Sequence, residues 1–251
     1  MTTPLIAVAH GSRDTRSAAT IHALTDLVRA RHADLDVRTA FLDLSSPRLD
    51  DVLDAVHGEG HREAVVVPLL LGHAFHARVD VPGIVSEIRR HRPFFHVHVA
   101  SVLGPDGRLE DAAWGRLAET GVDLDDPALG VLLAGAGSSH QPANRLVADV
   151  AGRWGGRAPW AGASAAFAAA AAPDVPAAVA ALRARGARRF ALASWFLAPG
   201  LLPDRVVTAL HEHTTEPAVA APMGAAPEVA DLVADRYRAA VAPSHPTQRQ
   251  A

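Results

Sequence analysis

The stretch Leu5-Ile6-Ala7-Val8-Ala9-His10-Gly11-Ser12-Arg13-Asp14 constrains this chain more than any other. Five consecutive apolar residues stop at a histidine, a glycine and a serine, and an amphipathic pattern follows with Ile21, Leu24 and Val28 on one face. A short apolar run bounded by turn residues reads as a strand covered on both faces, and the periodicity behind it as a helix. Strand, turn and helix is the repeating unit of open parallel sheets, which bind ligands just beyond the carboxyl ends of their strands. His10 falls at such an end. Taken alone, it reads equally well as a turn histidine bonded to its own backbone.

The unit recurs along the chain. A second strand is expected from Val37 to Leu44, with Ser46 and Pro47 as N-cap and first residue of a helix carrying Leu49, Val52, Leu53 and Val56. A third strand, Ala64 to Leu71, opens into Gly72-His73-Ala74-Phe75-His76-Ala77-Arg78-Val79-Asp80-Val81-Pro82, and a helix with Ile84, Val85 and Ile88 follows. A fourth, His96 to Leu103, leads to a helix with Leu109, Ala113 and Leu117. After a linker, Gly121 to Pro127, the pattern restarts with a strand from Gly130 to Ala134, a turn through Ser139, and a helix carrying Leu146, Val150 and Trp154. Gly11-Ser12 matches Gly137-Ser138, an offset of 126 residues (137 − 11). Arg62 to Leu71 resembles Arg188 to Leu197, and Val102-Leu103-Gly104 resembles Pro222-Met223-Gly224. The alanine-rich stretch Ala163 to Ala172 is expected to begin as a strand and continue as a loop, with a helix from Asp174. The chain is therefore read as an α/β protein with an internal duplication. Two similar lobes, residues 1–122 and 127–241, would each hold a four-stranded parallel sheet flanked by helices, with the active site in the cleft between them. Residues 242–251 carry no core-forming pattern and are expected to be disordered.

Composition removes several classes of function. There is no cysteine, so thiolate zinc sites and cysteine-held iron–sulfur clusters are excluded. All 24 residues in the Lys+Arg count are arginine, which excludes Schiff-base catalysis and a Walker-type phosphate loop. A formal net charge of −3 gives no nucleic-acid footprint. No apolar run reaches the roughly 18 residues of a membrane helix, and the N-terminus has no export signal, so a cytoplasmic protein without a membrane partner is expected.

Three first-lobe loops end strands at a polar group: His10, Asp43, and His76 or His73. In a parallel sheet all three emerge at one edge. Two imidazoles and a carboxylate there suit a borderline divalent metal such as Fe²⁺, Co²⁺, Ni²⁺ or Zn²⁺. The competing readings are exposed loop residues for His73 and His76, and a helix-entry cap for Asp43. The second lobe breaks the pattern, with Ala136 at the position of His10 and Ala198-Pro199-Gly200-Leu201-Leu202 in the turn matching Gly72 to His76.

At these residues the chain resembles the sirohydrochlorin chelatases, class II chelatases that insert iron or cobalt into a reduced tetrapyrrole. The likeness rests on His10-Gly11-Ser12-Arg13, on Phe41-Leu42-Asp43-Leu44-Ser45-Ser46-Pro47, on His76-x-x-x-Asp80-x-Pro82, and on the two-copy length. It implies that His10 and His76 handle the metal and accept pyrrole protons, with His73 a possible extra ligand. Asp43, where the family usually has glutamate, would orient a histidine or relay a proton. Arg13 and Arg78 would hold the carboxylates of sirohydrochlorin, Ser12 would contact the substrate, and Trp195-Phe196-Leu197 with Leu201 and Leu202 would line the ring, a buried strand being the competing reading for Trp195. Fe²⁺ is favoured over Co²⁺, the metal being a substrate with no permanent cofactor, in a monomer or homodimer. A metal or tetrapyrrole carrier with the same site is the alternative.

Overall fold

The computed structural model describes residues 2–72 and 80–242. In chain order the elements are β1 (Leu5–Ala9), α1 (Thr15–Arg31), β2 (Val37–Phe41), α2 (Leu49–Gly58), β3 (Glu63–Pro68), α3 (Asp80–His91), β4 (His96–Val99) and α4 (Gly107–Ala118). The second half follows with β5 (Leu129–Gly135), α5 (Gln141–Gly155), β6 (Gly162–Phe167), α6 (Val175–Ala184), β7 (Arg189–Ser194), α7 (Leu201–His213), β8 (Ala218–Val219) and α8 (Pro227–Val241). They form two four-stranded parallel sheets, ordered β2-β1-β3-β4 and β6-β5-β7-β8. The expected strand–helix alternation, the duplication and the helix start at Asp174 are all present.

Side-chain alternation explains the layers. In β1, Leu5, Ala7 and Ala9 face one cluster while Ile6 and Val8 face another. In β5, Leu129, Val131 and Leu133 join the cluster of Leu5, whereas Leu132 and Ala134 pack on the far side with α6 and α7. One core thus runs through the middle of the molecule, lined by the inner faces of both sheets, and each sheet has a smaller outer core.

The central core contains an exchange that periodicity does not show. The last helix of each half packs on the other half's sheet: α8 lies on β3 and β4, and α4 lies on β7. The lobes drawn at 1–122 and 127–241 are contiguous in sequence but not in packing. Polar contacts fasten the exchange. Arg236 donates to the carbonyls of Val102 and Leu103, Tyr237 Oη donates to the carbonyl of Thr3, and Arg116 donates to the carbonyl of Met223. His32 is largely buried against α8, with Nε2 3.0 Å from Asp231 Oδ1.

Asp106 sits at the centre of one such junction. It caps α4 through Arg108 N–H and also receives the guanidinia of Arg108 and, from α8, Arg236. The Arg108 bond holds its carboxyl below the ordinary 3.8, against the opposing effect of burial. A depressed carboxyl contributes stability that is complete above the unfolded value and is lost as pH falls through the folded one. Asp106→Asn keeps a capping oxygen and loses the charge. It is expected to lower unfolding free energy by about 1–2 kcal/mol at pH 7. The difference should shrink below pH 3.8, as measured by urea titration at both pH values.

Several boundaries differ from expectation. β2 stops at Phe41 because the chain then turns through Leu44 at φ 60° and a cis Ser46–Pro47 bond. Ser46 and Pro47 therefore do not start α2. Its N-cap is Arg48, which makes no side-chain capping bond. β3 and β4 end at Pro68 and Val99, short of Leu71 and Leu103, because their continuations bond across loops, as in Leu103 N–H to the Leu70 carbonyl. Trp195 is buried just beyond β7 rather than within it.

Candidate active site

In strand order β2-β1-β3-β4 the direction of winding reverses between β1 and β3, and open α/β sheets bind ligands in the crevice beyond such a switch point. His10 is the first residue past β1 and is half-buried. The pairing of β1 with β2 continues past the strands, with Leu42 N–H donating to the Ala9 carbonyl and Asp43 N–H to the His10 carbonyl, both at 2.9 Å. His10 and Asp43 are thus adjacent rungs of one extended ladder.

Gly11 makes that close approach possible. Its φ is +93°, and a Cβ built there would lie 1.6 Å from the Asp43 carbonyl oxygen. Gly11→Ala is expected to cost at least about 2 kcal/mol, combining left-handed strain with a forced loop displacement. Gly60, at φ +95° with nothing within 4 Å of the same atom, supplies the control. Gly60→Ala should cost only about 1 kcal/mol, so comparing the two thermal midpoints separates close approach from backbone strain.

Ser12 and Ser45 lock the turn: Ser12 N–H donates to Ser45 Oγ at 3.1 Å, and that hydroxyl donates back to the Ser12 carbonyl at 3.0 Å. Ser12 Oγ accepts from Asp14 N–H, and Asp14 caps α1. Ser12 is therefore a turn-forming residue in this structure. Arg13 is exposed and, among the described residues, makes no hydrogen bond or ion pair. The Asp43 carboxylate is 63 % exposed, accepts from Leu44 N–H at 2.8 Å and lies 3.5 Å from Arg48. His73, His76 and Arg78 lie outside the described residues, as does the chain beyond Ala242. Among the described residues no group of three or more His, Asp or Glu side chains is placed to hold a metal.

The second half repeats this architecture without its imidazole. At the same 126-residue offset, Gly137 has φ +79° with a Cβ position 1.8 Å from the Ala169 carbonyl oxygen, and Ala169 N–H donates to the Ala136 carbonyl. Ala170 copies the left-handed Leu44, and cis Ala172–Pro173 copies cis Ser46–Pro47. The offset holds through Leu70 and Phe196, whose carbonyls receive Leu103 and Met223 N–H. By that second pair it has fallen to 120 (223 − 103), so the first half carries six additional residues between Leu70 and Leu103. His73 and His76 fall in sequence within that longer interval.

The carboxyl edges of the two sheets meet. Arg16 in the first turn of α1 contacts Asp204 in the first turn of α7 at 2.5 Å, and also Asp14 at 2.5 Å. A cavity of about 290 Å³ opens there, with Arg16, Ser194, Phe196, Pro199 and Asp204 in its wall. Sequence reading missed Arg16, because nothing in a helical pattern distinguishes one first-turn arginine from another. Two large apolar side chains stand exposed at these edges, Leu44 at 47 % and Leu201 at 73 %. Leu197, by contrast, is buried in the core.

Comparison with known proteins gives a consistent result. A family model described as CbiX matches residues 4–120 and, separately, 130–240. A Priestia megaterium protein named sirohydrochlorin ferrochelatase is 27 % identical over 210 residues, covering 83 % of this chain and 78 % of that protein. A Methanosarcina acetivorans sirohydrochlorin cobaltochelatase is 25 % identical over 122 residues, 46 % of this chain and 94 % of the relative. The solved structure of SirB from Bacillus subtilis with Fe³⁺ superposes with a TM-score of 0.77 at 23 % identity, over 96 % of each chain, and so shares the fold. Among the described residues no helix is long and apolar enough to cross a membrane.

Proposed function

Since the chain belongs to the CbiX family in a two-copy form, we propose that it is a sirohydrochlorin chelatase, with Fe²⁺ as favoured metal substrate and Co²⁺ as the second. One relative, matched over 83 % of this chain, is named a ferrochelatase, which supports iron. The observation that carries the reading is the position of His10, at the switch point between β1 and β3. The connection leaving β3 there holds His73 and His76 in sequence.

Inserting a divalent ion into a tetrapyrrole releases two inner N–H protons and strips the ion of water. A neutral imidazole, ordinarily titrating near 6.5, both binds such an ion and accepts protons near neutrality. His10 and His76 hold the incoming metal and take up the protons, with His73 as a possible third ligand. Asp43, one rung from His10, orients a histidine or relays the proton. Leu44 and Leu201 supply apolar surface for the macrocycle, and Arg13 and Arg78 meet its carboxylates.

Anaerobic mixing of the protein with sirohydrochlorin and Fe²⁺ or Co²⁺, followed by absorbance, tests this. Acceleration over the protein-free reaction is the expected result. Binding of the tetrapyrrole with no acceleration would instead favour a carrier, which needs the same ligands.

A further inference from the structure

The second sheet has its own switch point, between β5 and β7, and the cavity of about 290 Å³ opens there. Ala134 and Ser194, paired across those strands, both line it. Phe196, Pro199, Val207 and Val219 make its walls largely apolar. Against them stand two polar groups with unused capacity. Ser194 is only 3 % exposed, nothing among the described residues bonds its hydroxyl, and its oxygen is open to the cavity rather than sealed in the core. Arg16 engages Asp14 and Asp204 through Nε and Nη2, which leaves both N–H groups of Nη1 uncommitted among the described residues.

The first half has no equivalent pair. At the 126-residue offset Ser194 corresponds to Pro68, and Arg16 corresponds to Pro142 in the second half, so neither group is a by-product of the duplication. A lipophilic pocket with a buried hydroxyl and a cation at its mouth suits a short apolar arm ending in a carboxylate. At about 30 Å³ per displaced water, the volume admits an arm of several heavy atoms.

Building on the chelatase reading, we propose that this cavity takes one carboxylate-ended side arm of the tetrapyrrole. Ser194 Oγ and Arg16 Nη1 donate to that carboxylate. Asp204, half-exposed in the first turn of α7, is the counter-charge that holds Arg16 in place beforehand and weakens the arriving arm by repulsion. The work is then divided between two places: the first sheet's switch point handles the metal, and the pocket at the second sheet's switch point, completed by Arg16 of the first half, fixes the ring's position by one arm.

The test is equilibrium binding of metal-free sirohydrochlorin to the full chain, read by absorbance, with KM and kcat measured in parallel. Arg16→Met should weaken binding about tenfold and raise KM by a similar factor, with kcat changed far less. Ser194→Ala should weaken binding about threefold to tenfold. Unchanged binding in both Arg16→Met and Ser194→Ala overturns the pocket and leaves chelation by His10 standing. Failure of the unmodified chain to bind sirohydrochlorin overturns both.

Discussion

Replacing His10 by alanine is expected to slow metal insertion at least about a hundredfold, the lower end of what a positioned proton acceptor contributes, with metal-ligand loss adding to it. The fold should survive, and the molecule itself supplies the reason. Ala136 occupies the matching position in the second half and keeps the same ladder, its carbonyl accepting from Ala169 N–H at 3.1 Å. The turn therefore needs the backbone of residue 10 and the freedom of Gly11, not the imidazole. A thermal midpoint close to that of the unmodified chain, retained binding of metal-free sirohydrochlorin, and a collapsed rate with Fe²⁺ and Co²⁺ together constitute the expected result. A rate within a few-fold of normal would show that the metal is handled elsewhere.

That same comparison shows what was legible in the chain. Apolar runs such as Leu5–Ala9 and Leu129–Gly135 announce themselves because strands covered on both faces have no room for polar residues. Glycines at 11 and 137 are readable because only glycine tolerates both the positive φ and a carbonyl so close. One loop proline misleads. Proline before an amphipathic run signals a helix start, yet Pro47 serves a turn whose carbonyl receives the N–H of Phe41, as the Pro173 carbonyl receives the N–H of Phe167. Pairing at long range is silent in the sequence. Arg16 and Asp204 are 188 residues apart, and no periodicity connects them. The destination of α8 is equally silent, because an amphipathic helix records that it has an apolar face, not which sheet receives it.

The exchange of α4 and α8 carries the second large expectation, that residues 1–122 alone will not form a folded monomer. Without α8, the inner face of the first sheet loses the helix that covers β3 and β4. Val229, Leu232 and Val233 of that helix are each 0 % exposed. Full burial of such side chains contributes about 1.5–3 kcal/mol apiece, so the three account for roughly 5–9 kcal/mol. The whole net stability of a domain is about 5–15 kcal/mol, so the isolated fragment has little or nothing left. It also exposes the face of α4 that belongs on β7. Trp114, in α4, is the sole tryptophan of this fragment. In the intact chain its ring stacks on Trp160 at 5.1 Å and meets Trp154 edge-on at 5.2 Å. Its emission should be red-shifted in isolated 1–122, and size-exclusion should show an expanded or self-associated species. Adding residues 123–242 should restore the blue-shifted emission, a compact elution volume and binding of sirohydrochlorin together, because each fragment supplies the helix the other lacks. A compact monomer of 1–122 that unfolds cooperatively would show that the exchanged helices are ornaments on two independent lobes.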